Sequence, residues 1–154
     1  MGAVTIRLAG ESRTRSVAAS LAARVKGGER ICLYGSLGSG KTTFVRGFLR
    51  ALGVRGPVRS PTFALIHEYR RTKPPAYHMD FYRLRTSDLE NLGLREYLED
   101  PSAVCLIEWP EAAEGRLGAD RLELTLEHQR GSRGRTLRAR AFGSRASRLL
   151  RGLS

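Results

Sequence analysis

The sequence predicts an α/β domain with parallel strands at the centre of its sheet, antiparallel strands at the periphery and helices on both faces. Three features carry this expectation. Two short, uninterrupted apolar runs, Ile31-Cys32-Leu33-Tyr34 and Val104-Cys105-Leu106-Ile107, have the character of strands buried on both faces. Segments with apolar residues at helical spacing stand before and after the first run. A glycine-rich loop joins that run to the second of these segments. With 154 residues the chain is expected to form one domain, residues 1–154.

The elements follow in order. Val4, Ile6 and Leu8 alternate with Thr5 and Arg7, the period of a half-buried strand. Val17, Ala18, Leu21, Ala22 and Val25 recur at helical spacing, and Gly27-Gly28 is expected to stop that helix. After the first buried run and its loop, Phe44, Val45, Phe48, Leu49 and Leu52 predict a second helix closed by Gly53. Residues 62–69 and 76–80 read as strands around the Pro74-Pro75 turn. Ser87 and Glu90 have the spacing of a capping box for a short helix. The second buried run comes next. Residues 121–127 and 135–142 read as an antiparallel hairpin, and a weak helix ends the chain.

Composition narrows the functional classes. Apolar residues make up 41% and charged residues 27%, the balance of a soluble globular protein. No aliphatic stretch is long enough for a transmembrane helix, and no secretory signal is visible, so a cytoplasmic protein without a membrane partner is expected. The two cysteines, Cys32 and Cys105, lie inside apolar runs, which speaks against a disulfide scaffold or a thiolate metal site. The net charge is +12 and is unevenly spread. Residues 1–79 hold 14 basic and 3 acidic residues, residues 80–127 hold 5 and 12, and residues 128–154 hold 8 arginines and no acid. Such ends attract nucleic acid or an acidic protein. The excess of arginine over lysine, 24 to 3, fits GC-rich codon usage equally well.

Gly35-Ser36-Leu37-Gly38-Ser39-Gly40-Lys41-Thr42 matches the phosphate-loop pattern G-x-x-x-x-G-K-[ST], with a buried strand before it and an amphipathic helix after it. Glycines let backbone N–H groups turn inward around phosphate oxygens, and the following helix adds its positive end. Lys41 brings a full charge to the β- and γ-phosphates, and the Thr42 hydroxyl can ligate Mg²⁺. Leu37, Gly38, Ser39, Gly40, Lys41, Thr42 and Thr43 are therefore the predicted nucleotide-binding loop of a P-loop NTPase-like domain. The chain has one asparagine, Asn91, followed by Leu92, so it lacks the Asn-Lys-x-Asp motif that reads guanine; ATP is the expected nucleotide.

P-loop hydrolases place a carboxylate at the end of a neighbouring buried strand to hold Mg²⁺ or its water. Glu108 follows Val104–Ile107 in the Walker B manner, and Asp80 ends the strand containing Tyr77 and Met79. One would serve the metal and the other would orient or deprotonate water, and the pattern does not assign which. Trp109 either packs over the nucleotide or fills the core. Thr14, at the start of the first helix, approaches the base or sugar or is an ordinary first-turn residue. Thr62, in Ser60-Pro61-Thr62, lies where P-loop proteins carry a γ-phosphate-sensing switch, or in a plain turn.

Taken together, the loop GSLGSGKTT, SPTF (Ser60–Phe63) leading to Tyr69, HMDFYRL (His78–Leu84) and Glu108-Trp109 within LIEWPE resemble the bacterial TsaE (YjeE) family of tRNA threonylcarbamoyladenosine biosynthesis. The resemblance runs from about residue 10 to the end. Ser36 departs from it, standing where the family often has an acidic residue. The resemblance implies a small ATPase that works with a TsaB–TsaD heterodimer, which modifies the adenosine beside the anticodon, and so meets tRNA indirectly, with direct contact left open. It implies Lys41 and Thr42 at phosphate and Mg²⁺, Glu108 as a magnesium ligand, Asp80 as a catalytic or metal-shell carboxylate, and Thr62 and Trp109 in support, and it gives the charged surfaces a second reading as contacts to TsaB–TsaD or to the tRNA itself. Two rivals remain at this level: a small P-loop metabolite kinase, and a basic nucleic-acid-binding module with a vestigial loop.

Overall fold

The computed structural model describes residues 2–58 and 65–153. Among them are seven strands: β1 (Gly2–Leu8), β2 (Arg30–Tyr34), β3 (Ile66–Tyr69), β4 (Ala76–Asp80), β5 (Val104–Glu108), β6 (Arg121–His128) and β7 (Arg135–Phe142). Four α-helices accompany them: α1 (Glu11–Ala22), α2 (Lys41–Leu52), α3 (Leu94–Leu98) and α4 (Ser144–Leu150). The strands form one sheet in the order β1-β7-β6-β2-β5-β4-β3. β6, β2, β5 and β4 run parallel, and β1, β7 and β3 are antiparallel to their neighbours.

The two apolar runs sit side by side as β2 and β5, with Cys32 opposite Ile107 and Leu33 opposite Glu108. Their residues alternate between two cores. Ile31, Leu33, Val104 and Leu106 join the larger core, which α1, α2 and α4 cover with Leu21, Phe44, Phe48 and Leu149. Cys32, Cys105 and Ile107 join the smaller one, under Leu89, Leu94 and Leu98. The layers are unequal. Among the described residues the second face carries α3 and two short 3₁₀ turns, Thr86–Asn91 and Pro110–Ala113, and Arg138 and Arg140 of β7 stand exposed beyond them.

Several expectations shift in detail. α1 ends at Ala22, with Val25 buried beyond it, because the chain must turn early to enter β2. Buried Glu29 holds this turn: its carboxylate accepts from the Lys26 and Gly27 N–H groups at 2.7 Å each and from Arg148 of α4 at 2.6 Å. The box expected from Ser87 and Glu90 lies two residues earlier, where the Asp88 carboxylate accepts from Arg85 N–H at 2.8 Å and starts a 3₁₀ turn. β6 does form a hairpin with β7, yet its other edge pairs parallel with β2, so it belongs to the central set. Gly53 closes α2 in the left-handed region (φ 106°), as its position predicts. Strand β3 is described from Ile66 onward, and residues 62–64 lie outside the described residues.

Candidate functional site

The glycine-rich loop leaves the end of β2 and enters α2, and its backbone needs glycine at two places. Gly35 has φ 142°, and a Cβ there would lie 2.5 Å from the Leu126 carbonyl oxygen and 2.6 Å from Ser39 Oγ. Gly40 precedes α2 with φ 106° and ψ 11°, a left-handed conformation that L side chains resist. The turn is pinned by Ser39 N–H to Ser36 O at 3.1 Å, and α2 begins with Phe44 N–H to Gly40 O at 2.9 Å. The start of α2, with Gly40, Lys41, Thr42 and Thr43, lines the loop's concavity, where a helix's positive end favours an anion.

Lys41 is buried. Its ammonium donates to the carbonyls of Gly35 (2.6 Å) and Ser36 (2.9 Å) and stands 4.2 Å from the Trp109 ring centre. Burial lowers its pKa, and the charges of Glu108, Glu111 and Asp80 oppose that shift. The Thr42 hydroxyl donates to Glu108 Oε1 at 3.2 Å, 66 residues away in sequence. Glu108 reaches this point because β5 lies directly beside β2; its other oxygen, Oε2, meets Nε2 of buried His78 at 2.6 Å. Asp80 lies opposite Glu108 in the β4–β5 register. Its carboxyl pKa is raised, first by desolvation and then by Glu108, while the Tyr82 N–H it accepts at 3.0 Å pulls the other way.

Trp109 adopts φ 54°, a left-handed conformation rare for a bulky residue and strained by about 1–3 kcal/mol. That bend turns its ring over Lys41 and against Tyr82, with ring centres 4.7 Å apart. Trp109 thus lines the cavity and is also partly buried against the smaller core.

These groups surround a cavity of about 290 Å³. Of the residues singled out from the sequence, Leu37, Gly38, Gly40, Lys41, Thr42, Thr43, Asp80, Glu108 and Trp109 line it. Ser39 is fully buried behind the loop, its hydroxyl without a partner among the described residues. Thr14 is buried in α1, does not line the cavity, and donates its hydroxyl to the Gly10 carbonyl at 3.3 Å. Thr62 lies outside the described residues. Four residues join the site without having been predicted: Glu11, Tyr82 and Arg135 in the lining, and His78 behind Glu108. Arg135 comes from the start of β7 and donates to the Gly38 carbonyl at 3.2 Å, across 97 residues of sequence. A roomier cleft of about 440 Å³ lies on the opposite face by α3, but its Arg30 already gives its donors to the carbonyls of Leu98 and Leu117.

The donors fit a small, hard cation. A hydroxyl, a buried carboxylate and a neighbouring carboxylate are oxygen ligands of the kind Mg²⁺ takes. No group of three His, Cys, Asp or Glu side chains able to hold a metal occurs among the described residues. Burial pushes the thiols of Cys32 and Cys105 up to about 12, which removes both from nucleophilic chemistry at neutral pH.

Strand, loop, helix and the acid at the tip of the adjacent parallel strand define a P-loop domain of the NTPase type. Comparison with known proteins narrows the class. The model of the family described as "Threonylcarbamoyl adenosine biosynthesis protein TsaE" matches residues 8–137. The chain is 39% identical over 148 residues to the tRNA threonylcarbamoyladenosine biosynthesis protein TsaE of Bacillus subtilis, covering 96% of this chain and 92% of that protein. It is 39% identical over 121 residues to the Streptomyces coelicolor protein of the same name, covering 76% and 80%. The crystal structure of Bacillus subtilis YdiB superposes with a TM-score of 0.84 at 34% identity, covering 97% of this chain and 93% of that one. The chain belongs to the TsaE family.

Proposed function

We propose that the chain binds ATP with Mg²⁺ in the phosphate-loop cavity and hydrolyses it as the energy-using subunit of tRNA threonylcarbamoyladenosine formation. In this reading it works beside a TsaB–TsaD heterodimer in the cytoplasm and touches tRNA only through that complex. One observation carries the reading: Lys41 and the hydrogen-bonded Thr42–Glu108 pair line one cavity together with Gly38 and Gly40 of the loop. Thr42 and Glu108 would hold Mg²⁺, which draws charge from the phosphate oxygens when bound. Lys41 releases its loop carbonyls for the β- and γ-phosphates. Asp80, its pKa raised by burial, is the carboxylate that orients and deprotonates the attacking water.

Two further features support a partner. Among the described residues, the exposed large apolar side chains are Leu37 (71%) and Tyr82 (48%), and both stand in the lining of this cavity. Apolar groups so placed suit a protein surface that closes over the nucleotide. Residues 121–142 fold as a strand hairpin built into the sheet, with no helical lid for a second small substrate, and this favours an ATPase over a metabolite kinase. No helix among the described residues is long and apolar enough to cross a membrane.

The test is phosphate release from ATP by the chain alone and with TsaB–TsaD added. The expected result is weak hydrolysis that rises at least tenfold in the mixture. An unchanged rate in the mixture overturns the partner assignment, and absence of nucleotide binding overturns the whole reading.

A further inference from the structure

The buried histidine behind Glu108 performs no step in the reading above. His78 is fully buried on β4, and its Nε2 lies 2.6 Å from Glu108 Oε2. A buried carboxylate is an acceptor, so Nε2 carries the proton and donates it. The other ring nitrogen, Nδ1, finds no hydrogen-bond partner among the described residues. The ring therefore spends its polar capacity on one contact. Buried polar atoms are seldom left unpaired, and an imidazole retained with one such atom needs a reason.

The register supplies one. Asp80 pairs with Glu108 and His78 with Leu106, so His78, Asp80 and Glu108 share one face of the parallel β4–β5 pair. Glu108 then has two oxygens with two neighbours: Oε1 receives the Thr42 hydroxyl and Oε2 receives His78. Torsion about a carboxylate's terminal bond is broad and soft. Without the imidazole, Glu108 is free to rotate and offer both oxygens to Thr42 or swing toward Lys41. With it, a single oxygen is fixed on the side of the phosphate loop.

We propose that His78 is a positioning residue for the metal-facing carboxylate: its Nε2–H holds Glu108 so that Oε1 stays directed at Thr42. The inference rests on the Mg²⁺-nucleotide reading of the cavity and adds a specific element to it. Partners of this kind, behind a metal ligand, typically contribute about 10- to 100-fold to metal affinity or activity.

The experiment is calorimetric titration of the whole chain with ATP, once in EDTA and once in Mg²⁺, for wild type, H78F, H78N and H78Q. H78F keeps an aromatic ring, somewhat larger than the imidazole, and removes the donor. The glutamine amide reaches the place of Nε2, and the asparagine amide stops about one bond short. In wild type, Mg²⁺ tightens binding. H78F and H78N are expected to lose about 10- to 100-fold of that Mg²⁺-dependent gain, with EDTA affinity unchanged. H78Q is expected to recover most of it. Should H78F fail to fold, the two amides carry the comparison between them. A full Mg²⁺ gain in H78N, equal loss in EDTA and Mg²⁺, or H78Q no better than H78N would each overturn the inference while leaving the nucleotide reading intact. Wild type without any Mg²⁺ gain would take down both.

Discussion

At the scale of single residues, Lys41 shows how a charged side chain is kept ready inside a protein. Its ammonium rests on two carbonyls and an aromatic ring, and no carboxylate among the described residues lies within ion-pair distance. A phosphate can displace neutral carbonyls far more easily than an ion-paired carboxylate. Hydrogen bonds to charged groups contribute about 1.5–3 kcal/mol, so Lys41→Ala should weaken ATP binding by about 10- to 150-fold, read by calorimetry. Asp80 makes a different prediction, because its folded-state pKa lies above the ordinary 3.8. Across that window the folded chain holds a proton the unfolded chain has lost, so unfolding becomes easier as pH rises. Asp80→Asn removes this cost. It should raise Tm at pH 7 while lowering hydrolysis, and a melting scan beside a phosphate-release assay reads both. Wild-type hydrolysis should likewise fall as pH drops through the raised pKa, since only the ionised carboxylate accepts a proton. Lys41, Glu108 and Asp80 were legible in the sequence because each sits at the end of an apolar run or inside a fixed loop pattern. Arg135 and Tyr82 were not: Arg135 reaches the loop because β7 folds back along the sheet, and Tyr82 meets the Trp109 ring across a stretch of sequence that no local pattern spans.

At the scale of elements, α2 both binds and braces. Phe44 and Phe48 are fully buried on the face it shares with β2, and Gly47 lies against α1. An added Cβ at Gly47 would come within 2.9 Å of Arg15 Cα, a backbone atom that cannot swing aside. Replacing glycine by alanine inside an exposed helix usually gains up to about 1 kcal/mol. Here overpacking should reverse the sign, and Gly47→Ala should cost about 1–3 kcal/mol in urea unfolding. A stabilised G47A would mean the two helices part without cost. The periodicity of Phe44, Val45, Phe48, Leu49 and Leu52 made this helix readable, whereas its close approach to α1 is a matter of tertiary packing. The same divide explains β6. Alternation of Leu122, Leu124 and Leu126 marks a strand with one buried face, but nothing local says that its free edge will pair parallel with β2. The short turn at Arg85–Asp88 was misplaced for a related reason, since several acidic residues offer similar spacing and packing of Leu89 selects among them.

At the scale of the whole molecule, the two faces of the sheet are put to different uses. The helical face carries the larger core and presents the phosphate loop where β2, β4 and β5 end together. The opposite face is half covered and leaves Arg138 and Arg140 in solvent, part of the excess of positive charge at the C-terminal end. The cavity is therefore built on the best-packed part of the fold, and binding there should be felt by the molecule as a unit. A ligand that binds only the folded chain stabilises it by RT ln(1 + [L]/Kd), about 2.7 kcal/mol at a hundredfold excess over Kd. For a chain near 150 residues each kcal/mol moves Tm by about 2–4 °C, so saturating Mg²⁺-ATP should raise Tm by about 5–11 °C. With binding about 10- to 150-fold weaker, the rise should fall to half or less in Lys41→Ala, and it should persist in a Leu37→Ser variant, whose exposed side chain stands at the rim of the cavity. A wild-type Tm that ignores Mg²⁺-ATP at millimolar concentration would mean that the glycine-rich loop and the Lys41 ammonium do not grip a triphosphate. A Leu37→Ser chain that keeps the thermal shift but loses stimulation by TsaB–TsaD would instead separate the nucleotide floor of the cavity from its protein-facing rim.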